Sequence, residues 1–139
     1  MSYNKLKSLV ANVEAIKTAL QIHIQGRQAT PEEKETLSQY SGFGGIKEVL
    51  NIGTDKPVSG DMEEPIRQLQ ELIDTYPYFT EAMKASVLTA FYTPKFLVDA
   101  VAKQIHTTFK DNGLQMRSFL EPSAGIGGFL PVAMPNTYD

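Results

Sequence analysis

The sequence predicts a mainly α-helical chain that closes on the first helix, strand and turn of an incomplete α/β domain. Three observations carry this. Apolar residues recur at three- and four-residue steps through most of the chain, Phe91-Tyr92-Thr93-Pro94 opens a helix, and the short apolar run from Met116 to Leu120 leads into Glu121-Pro122-Ser123-Ala124-Gly125-Ile126-Gly127-Gly128-Phe129. A strand that stops at an acidic residue and bends through glycines into a helix is how α/β proteins seat a nucleotide-like cofactor at the carboxyl edge of a sheet.

In the first helix, Leu6, Leu9, Val13, Ile16 and Leu20 form one stripe, with Lys7, Asn12, Glu14, Lys17 and Thr18 between them, and Gly26 ends it. Thr30-Pro31-Glu32-Glu33 is a second helix start: a threonine cap, proline at the first position, and a glutamate three residues on that reaches back to the cap amide. This helix is expected to run to about Tyr40. Gly42-Phe43-Gly44-Gly45 breaks it, Ile46, Val49 and Leu50 suggest a short helical turn, and residues 51–60 read as a linker or exposed loop. Ile66, Leu69, Leu72, Ile73 and Tyr76 mark a third helix, stopped before Pro77 because the residue preceding a proline is pushed out of helical geometry. Thr80 is expected to cap a fourth, with Met83, Val87, Leu88 and Phe91 on its buried side. Thr93 caps and Pro94 starts a fifth, which buries Leu97, Val98, Val101, Ile105 and Phe109 and ends at Asp111-Asn112-Gly113. Met116 to Leu120 alone reads as a strand. The organisation is thus a helical region over 1–50, a linker over 51–60, and over 61–139 a helical segment with the start of the α/β domain.

Composition narrows the function classes. The 139 residues carry 42% apolar and 21% charged residues, ordinary for a soluble globular chain. A net charge of −3 gives no general basic footprint, so contact with nucleic acid must be local or supplied by further sequence. The chain has no cysteine, hence no disulfide, thiolate metal site or cysteine nucleophile. No apolar run reaches the roughly 18 residues of a membrane span, and the Lys5-to-Lys17 start lacks a secretory core, so a cytoplasmic location is expected.

Chemistry concentrates in two places. A helix N-terminus offers unpaired amides and partial positive charge, so Thr93 and the amides after Pro94 suit a carboxylate. Glycines at 125, 127 and 128 let backbone approach a ligand closely. Each also has a plain reading, as a helix cap and as a close-packed turn. His23 and His106 lack the neighbouring ligands of a metal site. Glu32, Glu33 and Glu35, like Asp61, Glu63 and Glu64, complement helix dipoles. Lys95 and Lys103 read as a solvated face, and Phe43 as an anchor of its loop or an exposed recognition aromatic.

With both phrases in view, the sequence resembles the amino-terminal part of adenine-specific DNA methyltransferases of the gamma arrangement. There a Phe-Tyr-Thr-Pro phrase precedes a Glu-Pro-Ser/Ala-x-Gly-x-Gly-x-Phe-Leu phrase, as Phe91 to Pro94 precede Glu121 to Leu130 here. The likeness is greatest to the large methylases of phages and conjugative elements, often fused to helicase regions, which carry a Tyr-Ser-Gly-Phe-Gly-Gly phrase upstream, as Tyr40 to Gly45 do here. The resemblance implies a Rossmann-like class I methyltransferase domain, with S-adenosylmethionine as cofactor and DNA as partner of the full-length protein. It implies that Tyr92, Thr93 and Pro94 hold the methionine part, that Glu121, Pro122, Ser123, Ala124, Gly125 and Gly127 wrap the same end, and that Glu121 lies near the cofactor's amino group. The family's second strand and its Asn/Asp-Pro-Pro-Tyr/Phe motif, which grips a flipped-out adenine, have no counterpart up to Asp139. Thr75-Tyr76-Pro77-Tyr78-Phe79 has one proline and no amide or acid at its head, so it reads as a turn. The chain is therefore expected to be an amino-terminal fragment with part of a cofactor site, no catalytic residues, and no methyl transfer on its own.

Two alternatives remain open. One is a noncatalytic helical interaction module that self-associates through residues 115–139, because a lone strand leaves backbone groups unpaired. The other gives the glycine loop a dinucleotide, although no acidic residue follows at the spacing that ligand requires.

Overall fold

A computed structural model describes residues 4–58, 60–122 and 125–133. The chain divides into two compact units, Met1–Phe91 and Tyr92–Asp139. Helix dominates both, and no β-ladder forms among the described residues.

The first unit holds four α-helices. In α1 (Lys5–Gln25) the Asn4 side chain accepts the Lys7 amide hydrogen at 3.0 Å, and Gly26 closes the helix in left-handed geometry at φ 60°. Helix α2 (Pro31–Ser38) begins with the expected reciprocal cap: the Glu33 amide donates to Thr30 Oγ1, and the Thr30 amide donates to Glu33 Oε2. It ends at Ser38, two residues short of expectation. Next come a 3-10 turn (Lys47–Asn51), a second (Gly60–Met62) that leads into α3 (Glu63–Thr75), a third (Pro77–Phe79) and α4 (Thr80–Thr89). Helix α3 stops where Pro77 requires, with Tyr76 as its cap.

The core draws on α1, the 43–52 stretch, α3 and α4, while α2 buries no residue. Leu9 and Val13 of α1, Phe43, Ile46, Val49 and Ile52, then Ile66, Leu69 and Ile73 of α3 and Met83 and Val87 of α4 are buried together. Removing one such side chain from water contributes about 1.5–3 kcal/mol, so the cluster outweighs the surface ion pairs. The stretch expected as a linker lies inside this unit. Ile52 is core, its carbonyl accepts Lys84 Nζ at 2.8 Å, and the Gly53 amide donates to Gln70. Residues 53–57 are exposed.

Two details of α4 differ from the sequence reading. Thr80 does not cap it. The preceding 3-10 turn runs straight into the helix, Phe79 takes the cap position, and the Thr80 hydroxyl donates back to the Pro77 carbonyl at 2.8 Å. Leu88 and Phe91 are exposed, because only Met83 and Val87 face the core.

The second unit is built on α5 (Lys95–Asp111), which ends through Asn112 and Gly113, the latter at φ 62° as expected. Its start differs. Pro94, at ψ 140°, is the cap residue, and its carbonyl receives the Leu97 and Val98 amides, so Thr93 lies one residue before the cap and makes no capping bond. Only Val98 and Ala102 are buried. Leu97 and Val101, expected inside, are exposed, since the described residues covering α5 present one narrow strip to it.

The strand expected over 116–120 is not formed. Residues 114–121 are irregular, and Gln115 to Leu120 make no backbone hydrogen bond among the described residues. A strand exists only through a neighbouring strand's donors and acceptors, and here no such neighbour is present among the described residues. A short 3-10 turn (Leu130–Ala133) follows the glycine bend, and Val132 is buried.

Candidate functional site

The site residues named from the sequence belong to the second unit. Tyr92 is half-buried, while Thr93 and Pro94 are exposed at the open end of α5, where no side chain caps the helix. First-turn amides of such a helix point outward with partial positive charge. Glu121 is half-buried and Pro122 exposed. Ser123 and Ala124 lie outside the described residues. Gly125 (φ 54°) and Gly127 (φ 77°) both take the left-handed geometry that favours glycine.

The glycine turn runs along α5. A Cβ built on Gly128 would lie 4.0 Å from Cγ2 of Val98, and the Val98 amide donates to the Pro94 carbonyl, so Gly128 sits against the helix's first turn. Two turns on, His106 Nε2 lies 2.9 Å from the Val132 carbonyl oxygen. A carbonyl only accepts, so Nε2 carries the proton. His106 is thus a structural tie between α5 and the turn that follows the glycines. The Leu130 amide donates to the Gly127 carbonyl at 3.0 Å, closing the bend itself.

A second constellation, missed in the sequence, surrounds the Tyr40-to-Gly45 phrase in the first unit. Asn12 is fully buried on α1; its Nδ2 donates to the Gly42 carbonyl at 2.6 Å and its Oδ1 accepts the Ser41 amide at 2.8 Å. Phe43 is 1% exposed, with Tyr40 edge-on to its ring at 6.3 Å between centroids, so it anchors the loop to the core. The Gly45 amide donates to the Val87 carbonyl of α4 at 3.0 Å. A methyl group on Gly44 would come within 2.2 Å of the Ala90 carbonyl oxygen. The signal for Asn12 was present: three residues after Leu9 and four before Ile16, it occupies the apolar stripe itself.

A groove of about 230 Å³ lies between α1 and α3, floored by Leu20, Ile24, Leu72 and Tyr76. Lys17 at its edge is held by Glu14 and Gln68. Among the described residues no group of three His, Asp or Glu side chains gathers as a metal site requires, and no helix is long and apolar enough to cross a membrane. No family model, no curated protein and no solved structure matches this chain.

Proposed function

We propose that the chain is the front end of an S-adenosylmethionine-dependent adenine DNA methyltransferase, whose Rossmann-like domain begins in the second unit. The contact of the glycine turn with the first turn of α5 carries this reading, because it gives both phrases a common neighbourhood. The residues suit the methionine end of the cofactor. The uncapped start of α5 offers amides to its carboxylate, Gly125 and Gly127 offer backbone without side chains, and Glu121 offers a carboxylate to its amino group. When bound, the cofactor supplies the methyl group. The work of this chain is to bind and orient, since residues able to grip a target adenine have no counterpart in its sequence.

Calorimetric titration of S-adenosylmethionine into the chain, with Gly125→Val as control, tests the proposal. Binding that the substitution abolishes supports it; no heat in the unsubstituted chain, or heat unchanged by the valine, refutes it. Methyl transfer to DNA by the 139-residue chain would refute the assignment of a partial site.

A second reading, a noncatalytic module that associates with its own copies through residues 115–139, is favoured by one observation. Gln115 to Leu120 make no backbone hydrogen bond among the described residues, and Leu120 is 86% exposed. Light scattering that stays monomeric at high concentration would count against it.

A further inference from the structure

The geometry points to the Ser41–Gly45 loop as a latch on the end of α4, with Asn12 and Gly44 as positioning residues for the backbone that leaves the first unit at Phe91. Three independent contacts converge on it. Asn12 fixes the loop to α1 by satisfying both the Ser41 amide and the Gly42 carbonyl from within the core. Phe43 plants the loop's only large apolar side chain in that core. Gly44 and Gly45 then meet α4 where its last carbonyls have no intrahelical partner: Val87 receives the Gly45 amide, and Ala90 is approached so closely by Gly44 that no Cβ fits. A helix end is usually satisfied by water or by the residues that follow it. Here a loop from more than forty positions upstream does part of that work, so the exit at Ala90 and Phe91 is set by tertiary structure.

The two glycines are needed for different reasons. Gly45 takes φ 75°, a conformation that side chains resist, although a Cβ there would meet only Phe91 Cε1 at 3.6 Å. Gly44 has no such φ, and what a side chain there would meet is the Ala90 carbonyl. Gly44→Ala therefore probes the contact through space and not through backbone conformation.

Native-state hydrogen exchange on the whole chain tests the latch. In the unsubstituted protein the Gly45 and Ala90 amides are expected to open together, with protection within about threefold of each other and the same denaturant dependence. Gly45 exchanging as an open loop beside a protected Ala90 would overturn the proposal. Gly44→Ala is expected to speed exchange at both amides by about tenfold more than Gly26→Ala does, a control that strains a left-handed glycine with nothing within 4 Å. Equal effects of the two substitutions would mean that Gly44 acts only on overall stability. Should Gly44→Ala fail to fold, Asn12→Ala is expected to raise exchange at Gly45 above that of α3 core amides, and a uniform rise would refute the latch.

Discussion

Asn12 Nδ2 donates to the Gly42 carbonyl at 2.6 Å across thirty positions of sequence, from a side chain that solvent does not reach. Asn12→Ala would leave that carbonyl and the Ser41 amide without their partner, at a cost of about 1–3 kcal/mol. For a unit of this size each kcal/mol lowers Tm by about 4–8 °C. Thermal melting of the variant beside the unsubstituted chain measures the loss, and an unchanged Tm would show that water replaces the amide.

Phe43→Ala removes a ring that the core encloses almost completely. Large-to-small changes of this kind cost about 3–5 kcal/mol through lost transfer energy and the cavity left behind. Urea unfolding gives the value. A cost below about 1 kcal/mol would place the ring outside the cooperative core.

Stability should fall at acid pH through Glu33. Hydrogen bonds from Arg27, then from the Thr30 amide, hold its carboxyl well below the ordinary 4.5, at about 2. A carboxyl whose pKa is lower in the folded chain stabilises it above the unfolded value, so this contribution is complete above about pH 4.5 and fades as pH falls towards 2. Glu64, paired with Arg67 and Gln68, behaves in the same way over the same window. Denaturant midpoints recorded from pH 7 to pH 2 for the chain and for Glu33→Gln test this, the variant losing less stability over that fall. Parallel pH curves for the two proteins would contradict it.

Local signals were legible where the sequence itself supplies both partners. Thr30 and Glu33 satisfy one another three residues apart, Gly26 and Gly113 end their helices as glycine allows, and Pro77 halts α3. Signals that depend on a distant partner were not. Thr93 looked like a cap because threonine before proline suits one, yet Pro94 itself holds the cap geometry. Met116 to Leu120 has the composition of a strand, but a strand is a relation between two segments, and none of the described residues provides the second. Leu97 and Val101 obey helical periodicity and remain exposed, because periodicity states which face is apolar and not what covers it. Of the candidate site, the glycine geometry at 125 and 127 was readable; the contact between Gly128 and Val98, and the whole constellation around Asn12, required the fold.

The irregular stretch after α5 bears on handling of the protein. Proteases bind backbone they can straighten, and Arg117 is exposed within six residues that no backbone hydrogen bond restrains among the described residues. Elsewhere Lys56 is followed by proline, which trypsin does not cleave before, and Arg27 is occupied by Glu33. Brief digestion should therefore nick the bond between Arg117 and Ser118 first, cutting the covalent link from α5 to the glycine turn while the four-helix unit stays whole.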